Sequence, residues 1–270
     1  MSSWAAKALG IPVDEMARSA ELQAKAVFHA SRLPTAAAVS PMDLSIEAEA
    51  FGARVRFATD EVPAVTGQLV PDEDAAKALA VPDLARGRVP VSLAAIAAEK
   101  AQIADKPLLA GVIGPFSLAG RLMDVSEILY ACVDEPETVH LVVEKAARFV
   151  TSYIQALREA GADGVVMAEP LAGVLSPAMM EEFSCGAVQA VISAVQRADF
   201  PVVYHNCGRL APAAYPMLAD LGAAAYHFGN AIQMADALAA MPRDVLVMGN
   251  VDPAGVLTSG TPARVREATL

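Results

Sequence analysis

The chain has 270 residues, 55% hydrophobic but only 5% aromatic, and a net charge of −11 from 20 basic and 31 acidic side chains. That length supports one large domain with an ample core, and the charge disfavours nucleic acid or an anionic membrane as partner, because both need a basic face. No apolar stretch spans a bilayer, the first residues form no signal-peptide core, and three cysteines make no disulfide framework, so a cytoplasmic protein is expected.

In chain order, residues 21–32 read as a helix closed by Pro34. Residues 36–40 form a short apolar run, a candidate buried strand. In the stretch 42–57, Val55 and Phe57 alternate with Arg54 and Arg56, as in a half-exposed strand. The charges of Asp43, Glu47 and Glu49 read as a solvated face. From there to Pro90 the sequence is rich in Pro, Asp and Glu without a sustained period. It reads as an excursion over one end of the domain, able to serve as a lid.

After Pro90 the pattern is regular. A helix over 93–104 leads to the apolar run 108–113, which ends in Gly114-Pro115-Phe116-Ser117. A long helix begins at Pro136, with Val139, Val143, Ala146, Val150, Tyr153 and Leu157 on one stripe and Gly161 as its cap. Then come the run 164–169, a helix opened by Ser176-Pro177, the strand 201–206, and two further helix–strand pairs ending at Phe228 and Asn250. Short apolar strands alternating with helices indicate a parallel sheet covered by helices, in one domain over 1–270. Strands are expected near Ala36, Leu108, Gly164, Val202, Ala223 and Val245. The later five end in Gly114-Pro115, Glu169-Pro170, His205-Asn206-Cys207, His227 and Asn250-Val251-Asp252. Polar residues at successive strand ends favour a ring, the (β/α)8 barrel, although two strands are lacking from the count.

The pattern centres on His205 and Cys207. They stand two apart at the exit of a β-branched run, so they project to one side if the extension continues, and Gly208 lets the backbone turn away. An imidazole and a thiolate side by side can form half of a zinc site; the plainer alternative is a buried His beside a free core Cys. Glu169 and Asp252 have plainer roles too, in bonding loop amides and in a turn before proline. Cys132 and Cys185 fall in helical patterns as packing residues, and Met167, Met179, Met180, Met234 and Met248 read as core filler.

The stretch 42–57, Gly114-Pro115-Phe116, Glu169-Pro170 with Leu175-Ser176-Pro177, His205-Asn206-Cys207-Gly208 and Gly249-Asn250-Val251-Asp252-Pro253 occur in that order. Together they resemble the uroporphyrinogen decarboxylase superfamily from about Ile11 onward, and the His-x-Cys pair resembles its methylcobamide:coenzyme M methyltransferase branch. The resemblance implies a (β/α)8 TIM barrel, here apparently lacking its first and last strands. It implies zinc on His205, Cys207 and a second Cys that does not occur after Cys207 in this sequence. His227 could instead be a third ligand. By the same resemblance Glu169 and Asp252 are candidate catalytic residues, and Gly114, Phe116, His227 and Asn250 are candidate substrate-binding residues.

The implied reaction moves a methyl group from a methyl-corrinoid, carried by a small corrinoid protein, to a thiol such as coenzyme M, with tetrahydrofolate as an alternative acceptor. Zinc would serve by deprotonating the acceptor thiol. Two other readings compete. A uroporphyrinogen decarboxylase needs basic residues at the mouth, which are scarce here, and a non-catalytic corrinoid- or metal-binding relative would fit the absent cysteine. The short strand count leads to the expectation of a fragment with open edges that self-associates, and a homo-oligomer is compatible with the sequence.

Overall fold

The runs Leu108–Ile113, Gly164–Ala168 and Val202–Asn206 are apolar on both faces, so they are stable only when covered on both. In the computed structural model, which describes residues 2–270, they are the central strands of a curled, all-parallel sheet. The strands in chain order are β1 (Ala38–Val39), β2 (Arg54–Arg56), β3 (Ala64–Thr66), β4 (Leu108–Ile113), β5 (Gly164–Ala168), β6 (Val202–Asn206), β7 (Ala225–Phe228) and β8 (Leu246–Met248). The main sheet runs β1-β4-β5-β6-β7-β8, and β2 pairs antiparallel with β3 in a separate ribbon. Six parallel strands among the described residues make a half-barrel where a closed (β/α)8 barrel has eight.

Register carries the candidate residues to one end. Ala168 pairs with His205, His205 with His227, and His227 with Met248, so these four form a row across the C-terminal ends of β5 to β8. Side chains alternate across each strand. On β4, Leu108, Ala110 and Val112 are buried on one face, while Leu109 and Gly111 on the other are only half-buried. The half-buried face is the concave one, and it is apolar.

Helices cover the convex face. The first three are α1 (Ser2–Ala8), α2 (Val13–Arg18) and α3 (Ala20–Ser31), and α3 lies on α6 (Val89–Gln102). Between them come α4 (Ile46–Phe51) and α5 (Glu73–Ala78). After β4 follow α7 (Pro115–Met123), α8 (Val125–Asp134) and the 24-residue α9 (Pro136–Glu159). The predicted stripe of α9 is buried along its length against α7 and the later α11 (Gly186–Val195). Gly161 ends this segment at φ +110°, a conformation that favours glycine. Ser176 opens the next helix, α10 (Pro177–Met180), by accepting from the Met179 amide, and a π turn over Glu181–Cys185 joins α10 to α11. The remaining helices are α12 (Ala214–Ala219), α13 (Met234–Ala240) and α14 (Pro262–Thr269).

The half-exposed strand read at 54–57 is β2, and the excursion that follows it to Pro90 holds β3 and α5. Helices α7 and α8 went unrecognised. Asp43, Glu47 and Glu49, by contrast, are not a solvated face. Arg88, 45 residues further on, bonds the Asp43 carboxylate through Nη1. It also bonds Glu49 Oε2 through Nε at 2.6 Å and Ser45 Oγ through Nη2 at 2.7 Å. Its guanidinium lies over the Phe57 ring, 4.9 Å from the centroid. Glu47 is 1% exposed; one oxygen accepts from the Ile113 amide at 3.0 Å, and burial lifts its pKa to about 7. The segment is charged because it neutralises a buried arginine, which no periodicity reveals. Met248 also departs from the reading as core filler, because it lines the concave face.

Candidate active site

The concave face of the half-barrel forms a cleft of about 460 Å³. Val39, Leu109, Val166 and Val203 contribute its apolar floor, and Met42, Leu44, Pro170 and Met248 line it further. Its polar lining side chains are His205, Cys207 and His227, with no Lys or Arg among them. Strand β6 ends at Asn206, so Cys207 lies one residue beyond it, yet His205 and Cys207 face the same cleft.

The two imidazoles constrain each other. His205 Nδ1 is 3.0 Å from the His227 carbonyl oxygen and 2.7 Å from His227 Nδ1. A carbonyl can only accept, so His205 carries its proton on Nδ1 and shares it between both acceptors. His227 Nδ1 then accepts, which puts the His227 proton on Nε2. Nε2 of His205 is left as a lone pair. Burial lowers the pKa of His205, against the opposing effect of the His227 carbonyl. Burial and then the neighbouring His205 lower that of His227. Both rings are therefore held neutral at pH 7.

Glu169 is fully buried one residue beyond β5. Its carboxylate accepts from the Phe116 amide at 3.0 Å and the Ser117 amide at 2.6 Å, at the first turn of α7. Burial raises its pKa to about 7, with the hydrogen bonds from Ser117 and Phe116 pulling the other way. Gly114 has to be glycine for this arrangement, because a Cβ there would lie 2.4 Å from Glu169 Oε2. Gly114→Ala is expected to destabilise the fold by about 1–3 kcal/mol, as overpacking does; an unchanged urea midpoint would refute this account of the motif.

Phe116 is buried in the core, and Gly114 and Phe116 serve the α7 turn rather than line the cleft. The Asn250 side-chain amide donates to the carbonyls of Gly229 and Ile232. Asp252 caps the turn over Pro253–Thr258, accepting from Ala254 at 2.9 Å and Gly255 at 3.0 Å. Glu169, Asp252, Gly114, Phe116 and Asn250 are thus placed around the strand ends, whereas His205, Cys207 and His227 share the cleft. Cys132 is buried, and burial pushes the thiols of both Cys132 and Cys185 up to about 11. Sequence reasoning missed Asn206, a fully buried residue that bonds the Glu169 carbonyl; its only signal was its place between the two candidate ligands.

Zinc can be tested against this donor set. A metal-ligating histidine typically donates its other N–H to a carbonyl, as His205 does, with its lone pair on the free nitrogen. Cys207 is exposed on the same cleft and supplies a soft donor. Among the described residues no three His, Cys, Asp or Glu side chains group so as to hold a metal ion. The described residues thus offer two fitting ligands, His205 and Cys207, without a third grouped beside them.

The profile of the family described as uroporphyrinogen decarboxylase (URO-D) matches residues 1–270. The chain belongs to the uroporphyrinogen decarboxylase family. A uroporphyrinogen decarboxylase of Desulfotalea psychrophila is 29% identical over 244 residues, covering 87% of this chain and 69% of that protein. A methylcobamide:CoM methyltransferase of Methanosarcina acetivorans is 26% identical over 235 residues, covering 85% of this chain and 68% of that protein. Among solved structures, a methyltransferase from Methanosarcina mazei superposes with a TM-score of 0.91 at 26% identity, over 98% of this chain and 80% of that one. Membership makes the chain an enzyme of the URO-D superfamily and bears out the partial TIM barrel. No helix among the described residues is long and apolar enough to cross a membrane.

Proposed function

We propose that this URO-D family member is a methyltransferase that moves a methyl group from a methyl-corrinoid to a small-molecule thiol. The methyl donor would be carried by a small corrinoid protein docking at the mouth. The observation that carries this reading is the lining of the cleft: apolar walls, one thiol and two neutral imidazoles, with no cation. A porphyrinogen bearing several carboxylates would need basic partners there. The nearby Arg88 is already committed to Asp43 and Glu49.

Zinc bound through His205 and Cys207 would hold the acceptor thiol as its thiolate. The protein's own contribution is positional. Donation of Nδ1–H to the His227 carbonyl fixes the His205 ring and aims its remaining lone pair. The proton of His227, on Nε2, gives the cleft one hydrogen-bond donor for a negatively charged sulfur. The Val and Leu walls offer the sulfur no further polar partner.

Two donors hold zinc weakly, since structural zinc binding amounts to about 10–16 kcal/mol over roughly four ligands. The 270-residue chain is therefore expected to lose zinc on dialysis, and a version extended by one strand bearing a cysteine to retain one zinc per chain. The extended version should demethylate methylcobalamin when coenzyme M or another thiol is supplied. Cys207→Ser in that background should abolish both zinc retention and transfer. Decarboxylation of uroporphyrinogen, or zinc retention unaffected by Cys207→Ser, would overturn the proposal.

A further inference from the structure

The turn that carries Cys207 is held more tightly than an exposed loop needs. Asn206 is fully buried and bridges two strand ends. Its Nδ2 donates to the Glu169 carbonyl at 2.8 Å, and its Oδ1 accepts from the Gly208 amide at 2.8 Å. The second bond closes a tight turn around Cys207, because it joins the residue before it to the residue after it.

Glycines cradle that turn from both sides. A Cβ on Gly173, in the turn after β5, would lie 2.4 Å from Asn206 Oδ1 and 2.8 Å from Gly208 Cα. A Cβ on Gly208 would lie 2.7 Å from Gly173 Cα. From the β7 side, a Cβ on Gly229 would lie 2.7 Å from Cys207 Cα and 2.9 Å from its Cβ. Separations below 3.0 Å force something to move, and at Gly208 and Gly229 what must move is backbone. The Gly229 amide also donates to the Asn206 carbonyl at 3.1 Å. The Cys207 backbone is thereby fixed between two neighbouring strand ends although its thiol is exposed.

We propose that Asn206 is a positioning residue for the Cys207 sulfur, acting with a cradle of Gly173, Gly208 and Gly229. The role rests on the reading of Cys207 as a working thiolate, but the geometry can be tested without it. A bare asparagine turn needs no close backbone packing. A sulfur that must meet a defined point in the cleft does, because small misplacements of a positioned group are costly.

The test is the rate of iodoacetamide alkylation at each cysteine of the 270-residue chain, resolved by mass spectrometry. Cys132, buried in α8, is the internal control for general loosening; Cys185 is not, because it lies near Glu169 and Tyr204, both of which Asn206 bonds. In Asn206→Ala, and independently in Gly229→Ala, alkylation at Cys207 is expected to rise by about threefold or more with the Cys132 rate unchanged. Zinc affinity measured against a chromophoric chelator is expected to fall by about tenfold. Rates that rise together at Cys207 and Cys132 would show a purely structural role and overturn the proposal, as would no change at Cys207. If Asn206→Ala does not fold, Gly229→Ala decides, since it pushes directly on the Cys207 backbone and leaves the Asn206 side chain in place. If the parent chain neither binds zinc nor, when extended, transfers methyl, while the Cys207 rate still responds alone, the functional reading fails and the positioning role stands.

Discussion

Replacing Arg88 by methionine is expected to destabilise the fold by about 3–5 kcal/mol, because breaking a buried ion pair leaves charge uncompensated. The Arg88 and Asp43 side chains are each only 7% exposed, and Glu49 shares the same guanidinium. With the cation gone, the Asp43 carboxylate is left in its buried place without a counter-charge, and the partly exposed Glu49 loses the same partner. Adding Asp43→Asn and Glu49→Gln should recover part of the loss. Urea unfolding measures both effects; a loss under about 1 kcal/mol for the single variant would refute the account. The effect reaches the site, because Met42 and Leu44, on either side of Asp43, line the cleft.

The second large effect concerns Glu99 on α6. It is fully buried, and neither carboxylate oxygen has a hydrogen-bond partner among the described residues. Burial raises its pKa from an ordinary 4.5 to about 8. The folded state thus holds the proton more tightly than the unfolded state does. Stability from this group is fully present below about pH 4.5, declines as pH rises towards 8, and is level above that. At about 1.36 kcal/mol per unit the whole decline has a ceiling of about 5 kcal/mol. Glu99→Gln mimics the protonated acid and removes the titration. Its melting temperature should match the parent near pH 4.5 and exceed it increasingly up to pH 8. Parallel pH profiles for the two proteins would rule this account out.

The strands were legible because each of the six in the main sheet falls in a short apolar run, and the central three are apolar on both faces. Helix α7 was not: it is nine residues long and eight of them are buried, from Pro115 through Met123, which leaves Arg121 as the only charge to mark an outer face. The Gly114-Pro115 pair was visible only as a strand end. Strand β3 has three residues and no alternation to show. At the site, His205, Cys207 and His227 could be found because strand ends converge whatever the intervening sequence. The bonds around them could not, since the Glu169 link to Phe116 spans 53 residues and the Arg88 link to Asp43 spans 45. Spacing in sequence does not encode which distant charge answers which.

Every strand of the main sheet pairs with its predecessor in the sheet's own sequence order, from β1 to β8. Such an order suits a chain that leaves the ribosome from its N-terminus at about 5–20 residues per second. When β5 emerges, the edge of β4 is already waiting, and β6 finds β5 in turn. No strand has to be inserted between two that have already paired, so nothing made early must be undone. A nascent chain arrested after β6 should already protect the amides of β5 from exchange, while those of β6 are still half open on one edge.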